Sequence, residues 1–366
     1  VLAPVYASAI ITTVTVLLFY VWIKKVTNRT VAFFSSLFLA TSPFFVIQSR
    51  MPFYVFAVPM FTLIYLKALE KVRKNRPFSL FWAVLLFWML FQWELATIPL
   101  ILLILVVLLK EKIQVKKNAF QIILATILGL LPQLLFDLTH QCKHLCGFGA
   151  WIFYRIGSAF GLNQEHVMTL TKFGNVGKII SQQLSNITGA NVIGLMIFLS
   201  IVLVGVFSQR KTSLKLPKLF YLNAIAMVLL LIAFFIHGAP SEAYFAPFIV
   251  LLPIQLAFSL KMIKWKRFFN VAILGVTIIS IWNAYDLYVN NFLARDVSTL
   301  EGVSEWIVND SMGGPIKLVS YDEPAVFATY LDNFRFLILI NGGKLGDFGK
   351  TYVISADQNT FYYEVQ

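Results

Sequence analysis

Charge is what this chain has least of. Asp, Glu, Lys and Arg make up 13% of its 366 residues, about half the share found in an ordinary water-soluble domain. Acids are scarcer than bases, 17 against 30 Lys and Arg. With two cysteines, the chain is no disulfide-rich scaffold. A Gly-rich phosphate loop is missing as well, since Asn341-Gly342-Gly343-Lys344 is only a turn signal. The first apolar run has no cationic stretch ahead of it, unlike a signal peptide. A chain that opens on Val1 in this way reads as a fragment or a processed product.

What fills the chain instead is apolar. Hydrophobic residues are 59% and aromatic residues 16% of it, with a mean hydropathy of +0.78; this composition marks a polytopic membrane protein. The net charge of +13 would suit nucleic acid if the cations formed one patch. They lie in short loops between apolar runs, which argues for no nucleic-acid partner.

A helix needs roughly 20 residues to cross about 30 Å of hydrocarbon. Ten candidate segments occur, at about 3–22, 31–48, 52–69, 78–93, 95–109, 119–136, 190–208, 218–236, 244–260 and 268–288. When alternate connections are assigned to opposite sides, one side collects the basic loops 24–29, 67–76, 110–117, 210–218 and 261–267. Those loops hold twenty of the 30 Lys and Arg but only two acids, Glu70 and Glu111. The positive-inside rule makes that side cytoplasmic. The amino terminus, a long loop at about 137–189 and the tail then lie outside, with all four histidines and 15 of the 17 acids.

Segments 78–93 and 95–109 are short for a crossing. The turn between them, Gln92-Trp93-Glu94, is expected either to be recessed below the outer surface, where a carboxylate is costly unless it faces a wet cavity or a cation, or to be a tight interfacial turn with Glu94 solvated. The expected fold is an all-α membrane domain over 1–290, followed by a small α/β module over 295–366 outside the membrane. In that tail, Thr299–Asn309 reads as an amphipathic helix with Leu300, Val303, Trp306 and Ile307 on one face. Ile316–Ser320, Phe336–Ile340 and Thr351–Ser355 read as strands, and Glu323–Leu331 as a helix.

The candidate chemistry sits on the outer side. Arg50, in the turn Ser42-Pro43 to Tyr54, offers a guanidinium suited to bidentate phosphate binding; as an alternative it is an interfacial side chain reaching for the headgroups. Asp137 and His140, three apart at the end of segment 119–136, share a face on a continuing helix. They could pair, hold a phosphate or orient a sugar, or they could simply close the helix. His140, Cys142, His144 and Cys146 are poorly spaced for tetrahedral zinc; a Cys142–Cys146 disulfide or two inert thiols are the other readings. The last outer turn carries His237, Glu242 and Tyr244, which would line one external cavity with Arg50, Glu94 and Asp137 or stand as an ordinary solvated turn.

Ser42-Pro43 to Tyr54 with Ser49-Arg50, the run Pro132-Gln133-Leu134-Leu135-Phe136-Asp137-Leu138-Thr139-His140, and Tyr244-Phe245-Ala246-Pro247 together resemble integral-membrane glycosyltransferases of the GT-C superfamily. That superfamily includes the protein O-mannosyltransferases and the lipid A aminoarabinose transferase. The resemblance spans about residues 3–290. It implies a multi-pass plasma (inner) membrane enzyme that moves a sugar from a polyprenyl-phosphate donor to a glycan, lipid or protein acceptor on the extracytoplasmic face. A divalent metal is an optional cofactor in this expectation. The resemblance also implies that the catalytic Asp belongs to a first external loop ahead of Val1, so the catalytic base is unassigned here. Arg50 carries over as a cation lining the site, and Asp137 and His140 as residues lining or building it. Glu94 departs from relatives that often place His near this turn.

The competing expectation is a transporter or flippase for lipid-linked sugars. Ion-coupled transporters place ionisable groups near the bilayer midplane. The ten segments have none near their centres, which favours the outward-facing enzyme.

Overall fold

A computed structural model describes residues 3–50, 54–159, 170–210, 218–238, 240–292, 297–319, 329–357 and 360–365. The chain divides into two compact units between Asn283 and Ala284, a few residues ahead of the expected boundary.

Among the described residues, the regular structure of the first unit is all helical. It contains α1 (Ala3–Val26), α2 (Arg29–Ala40), α3 (Pro43–Arg50), α4 (Val58–Arg73), α5 (Ser79–Trp93), α6 (Ile101–Lys110), α7 (Val115–Thr139), α8 (Lys143–Ala159), α9 (Leu170–Thr188), α10 (Asn191–Arg210), α11 (Lys218–His237) and α12 (Phe248–Met262), and most of α13 (Lys266–Asp286). Every expected apolar segment falls on one of these helices or on a helix and its short neighbour. Six helices are long and apolar enough to cross a membrane, or seven if α2 and α3, bent by 62° at their junction, count as one broken span. The bend lies at Pro43, whose fixed φ and missing N–H suit the first position of a new helix. Ser42 anchors it by donating its hydroxyl to Ile187 O at 2.7 Å. The molecule is therefore a multi-pass, all-helical membrane protein in this unit.

α12 is the centre. Apart from Lys261, each of its residues is buried, and it packs against α2, α4, α10 and α11; a helix apolar on all sides has to be enclosed. Its polar tie is Asn223 of α11, whose Nδ2 donates to Leu251 O at 2.9 Å and to Gln255 Oε1 at 3.0 Å. Side-chain amides of this kind act as glue between membrane helices. α5 and α7 pack unusually closely because a Cβ built on Gly129 would lie 2.5 Å from Trp88 Cβ. Across the same contact Gln92 donates to Gly129 O, and Trp88 Nε1 donates to Thr126 Oγ1 at 3.1 Å.

The expected basic loops meet at one end of the unit. Lys261 Nζ donates to Val26 O at 2.5 Å. The two acids expected there are both paired: Glu70 with Lys74 at 2.6 Å and Trp22 Nε1 at 3.1 Å, Glu111 with Lys218 at 2.9 Å. The long loop expected at about 137–189 is largely helical, formed by α8 and α9, with 160–169 outside the described residues.

The second unit contains the end of α13, α14 (Val297–Asp310), α15 (Thr329–Ile340) and the strands β1 (Pro315–Val319), β2 (Lys344–Leu345), β3 (Lys350–Asp357) and β4 (Thr360–Val365). The sheet order is β2-β1-β3-β4; β1 is parallel to both neighbours, and β4 is antiparallel to β3. Ile307, Ile316, Phe334, Ile338 and Tyr352 form its core. The strand expected at Phe336–Ile340 is instead the second half of α15. Phe334 and Ile338 are fully buried, whereas Phe336, Leu339 and Ile340 are about half exposed; that is the i, i+4 burial of a helix, which a short apolar run does not reveal by itself. The helix expected over Glu323–Leu331 lies mostly outside the described residues. Asn341-Gly342-Gly343 closes α15, with Gly342 left-handed at φ 83° and Gly343 N–H bonding back to Ile338 O at 2.8 Å, so the turn reading of that stretch holds.

Candidate functional site

Opposite the cationic end lies a cavity of about 1220 Å³. Five pieces of the first unit build it. The last turn of α5 brings Gln92 and Trp93, and the stretch Glu94–Leu102 brings Glu94, Leu95, Ile98 and Leu102. From α8 come Lys143, Gly147, Trp151 and Ile152, and from α11 come Leu229, Ile232, Ala233, Ile236 and His237. Both sets follow i, i+3, i+4 spacing, so each helix turns one face to the cavity. Tyr244, in the short helical turn before α12, completes the wall.

The polar groups are few and varied. Glu94 is buried, 4% exposed. Its Oε1 accepts from Ala96 N–H at 3.0 Å, and Thr97 Oγ1 donates to its carbonyl at 2.7 Å. It thus caps the 3-10 turn Leu95–Leu100, which satisfies backbone donors that would otherwise be stranded in an apolar wall. The burial of Glu94 rules out the solvated carboxylate of the interfacial-turn reading. Lys143, exposed at the start of α8, brings an ammonium into the lining. Tyr244 Oη and His237 Nε2 lie 3.3 Å apart with perpendicular rings. Aromatic rings then run from Phe91 to Phe148 (5.1 Å), Trp151 (6.0 Å), His237 (5.8 Å) and Tyr244 (5.0 Å), which fixes the wall by edge and face contacts.

Two of the expected site residues, Glu94 and Tyr244, meet here, joined by His237. Asp137, His140 and Glu242 are not among the described residues lining this cavity. Asp137 is buried near the end of α7. His140 caps that helix: its Nδ1 lies 2.9 Å from Phe136 O and its ring stacks on Phe136 at 3.8 Å. Glu242 is half-buried in the turn before Tyr244. Arg50 ends α3, and its side chain lies outside the described residues.

The two cysteines form a Cys142–Cys146 disulfide, so their sulfurs are not thiolate ligands and the zinc reading falls away. Among the described residues no three His, Cys, Asp or Glu converge. Among the described residues that line the cavity there is one carboxylate, Glu94, and one imidazole, His237. Lys143 went unrecognised in the sequence because its neighbours looked like metal ligands. Its signal was to be the one cation inside the disulfide loop.

The arrangement can hold an amphipathic ligand, with hydrocarbon against Leu95, Ile98, Leu102, Leu229, Ile232 and Ile236 and an anionic or hydroxyl-bearing head among Glu94, Lys143, His237 and Tyr244. No protein-family model, curated protein or solved structure matches the chain.

Proposed function

We propose that this protein is a membrane glycosyltransferase of GT-C type that transfers a sugar from a polyprenyl-phosphate donor to a hydroxyl acceptor at the membrane surface. The observation carrying the reading is the cavity itself. It joins a broad apolar wall to a carboxylate, an ammonium and an imidazole–phenol pair. A lipid-carried sugar enters such a site sideways from the bilayer and needs no nucleotide-binding loop. The resemblance of Ser42–Tyr54, Pro132–His140 and Tyr244–Pro247 to that superfamily, and the ten-crossing topology with its extracytoplasmic active face, belong to the same proposal.

In the transfer step the acceptor oxygen bonds to the anomeric carbon, the bond from that carbon to the phosphate oxygen breaks, and polyprenyl phosphate departs with the electron pair. The acceptor proton passes to a carboxylate base. Lys143 and the His237–Tyr244 pair stabilise the charge growing on the departing phosphate, as donors aimed at developing charge do. Glu94 accepts hydrogen bonds from sugar hydroxyls.

The test uses the full chain in liposomes with radiolabelled polyprenyl-phosphate sugars. Donor-dependent transfer that falls at least tenfold in Lys143→Gln and in Tyr244→Phe supports the reading. Transfer unchanged by both would remove the cavity from the mechanism. Passage of the lipid-linked sugar across the bilayer without transfer would make the protein a transporter.

A further inference from the structure

The cationic end of the first unit holds a second cavity, of about 450 Å³, between the end of α4, the turn after α6 and the first turn of α7. Both turns are built alike. After α4, Asn75 takes a left-handed backbone (φ 49°), Asn75 N–H bonds to Val72 O at 2.8 Å and Arg76 N–H to Lys71 O at 3.1 Å. After α6, Lys112 takes the same conformation (φ 51°), with Lys112 N–H on Leu109 O at 3.3 Å and Ile113 N–H on Leu108 O at 3.0 Å. These are paired Schellman caps. They fold the chain back sharply and bring Arg73 and Lys112 into one lining with Lys117 of α7.

The charges in this lining are one-sided. Glu111, the carboxylate present, already accepts from Lys218 at 2.9 Å, which leaves Arg73, Lys112 and Lys117 in excess. Arg73 Nε is shielded from solvent and has no hydrogen-bond partner among the described residues. α7 begins without a side-chain cap on its amides and without an acid in its first turn, where Lys116 and Lys117 stand instead. Cations at a helix N-terminus oppose the helix dipole, whereas an anion there is stabilised.

We propose that this cavity binds a phosphate-bearing anion, the chemistry shared by an anionic lipid headgroup and free inorganic phosphate. Its size is several times that of one phosphate, and the flanking helices belong to the membrane unit, so a lipid headgroup fits it better. The guanidinium offers two parallel donors to phosphate oxygens, Lys112 and Lys117 add point charges, and Asn75 supplies an amide donor, with Asn118 adding the second N–H of an amide that already donates to Gln114 O at 3.0 Å. The site is separate from the proposed sugar transfer and stands or falls without it.

The experiment places the full chain in nanodiscs of phosphatidylcholine and adds either phosphatidylglycerol to the bilayer or inorganic phosphate to the buffer. Bound lipid is read by native mass spectrometry, and affinity from the rise in the unfolding midpoint. Expected is binding of at least one probe that weakens tenfold or more in Arg73→Gln/Lys112→Gln/Lys117→Gln. The control Lys264→Gln/Lys266→Gln/Arg267→Gln removes equal charge and should bind as the parent does. Lys112→Gln/Lys117→Gln, at two exposed positions, serves if the triple variant does not fold. Response to phosphatidylglycerol alone assigns the site to lipid, and response to phosphate alone assigns it to the free ion. Binding of neither probe, or equal loss in the control, overturns the proposal.

Discussion

Tyr244 places its hydroxyl 3.3 Å from Nε2 of His237, seven residues earlier and across the turn that joins α11 to α12. The pair closes one wall of the large cavity and ends an aromatic series that begins on α5. Phe keeps the Tyr244 ring and its contacts with Phe234 and His237 but removes the hydrogen bond. Tyr244→Phe is therefore expected to cost about 1 kcal/mol of stability while sharply lowering transfer. Thermal unfolding beside the liposome assay separates the two; equal losses in both would reduce the pair to a structural tie.

Glu94 caps the turn that follows it, and substitution can separate that role from the one assigned to it in the proposed transfer. Glu94→Gln retains an oxygen for the Ala96 amide and so keeps the cap, but loses the charge. Glu94→Ala loses both, and removal of a cap costs about 1 kcal/mol. The expected result is a near-parental unfolding midpoint for Gln with reduced transfer, and a lowered midpoint for Ala. A Gln variant as active as the parent would leave the carboxylate with a capping role alone.

Gly129 is set by the distance between α5 and α7. Gly129→Ala brings a methyl to 2.5 Å from Trp88 Cβ, a backbone-proximal atom that cannot swing away. Overpacking of this kind costs about 1–3 kcal/mol, and the shift should be visible in detergent as a lower unfolding midpoint. Gly189→Ala should be worse, since Gly189 has φ 73° and its added carbon would overlap the Asn283 side chain, which bonds Thr188 O at 3.1 Å.

In the second unit, Asp310 links the end of α14 to β3. Hydrogen bonds from Lys350 Nζ at 2.6 Å and Tyr352 Oη at 2.8 Å hold its carboxyl below the ordinary value of 3.8. The folded state thus binds this proton less readily than the unfolded state. Its stabilising contribution is complete above about that value and is lost as pH falls through the lower, folded one. Burial, together with the bond to Asp310, raises the Tyr352 phenol, so that side of the pair stays neutral across the same range. Hydrogen exchange of β3 amides in the full chain should accelerate as pH drops below 4, after correction for intrinsic rates. Asp310→Asn should remove that acid-linked change; an unaltered profile would break the assignment.

The Cys142–Cys146 disulfide predicts that a maleimide reagent leaves the unreduced, unfolded protein unlabelled and adds two labels after reduction. Labelling before reduction would return the pair to free thiols.

Much of this was legible in the sequence because partition into hydrocarbon is a sum over contiguous residues. The segments near 3–22, 119–136, 190–208, 218–236, 244–260 and 268–288 are each apolar enough for that sum to decide them alone. The cations at their ends mark a common end for the same reason, and Lys261 on Val26 and Lys218 on Glu111 realise it. Where runs were short the pattern lost its force. Phe336–Ile340 has strand composition, yet the burial of Phe334 and Ile338 against Ile316 and Tyr352 made it helix.

The site belongs to the other kind of information. Glu94, Lys143 and the turn carrying His237 and Tyr244 stand far apart in the chain, and the face each helix turns inward depends on packing. That packing is set by close approaches such as Gly129 against Trp88 and by the enclosure of α12. The long apolar helices and their charged ends follow from local sequence, because each segment meets the membrane on its own account. Which polar groups meet, and that His237 faces the cavity, was decided by the tertiary structure alone, because rotation and depth are settled between helices rather than within one.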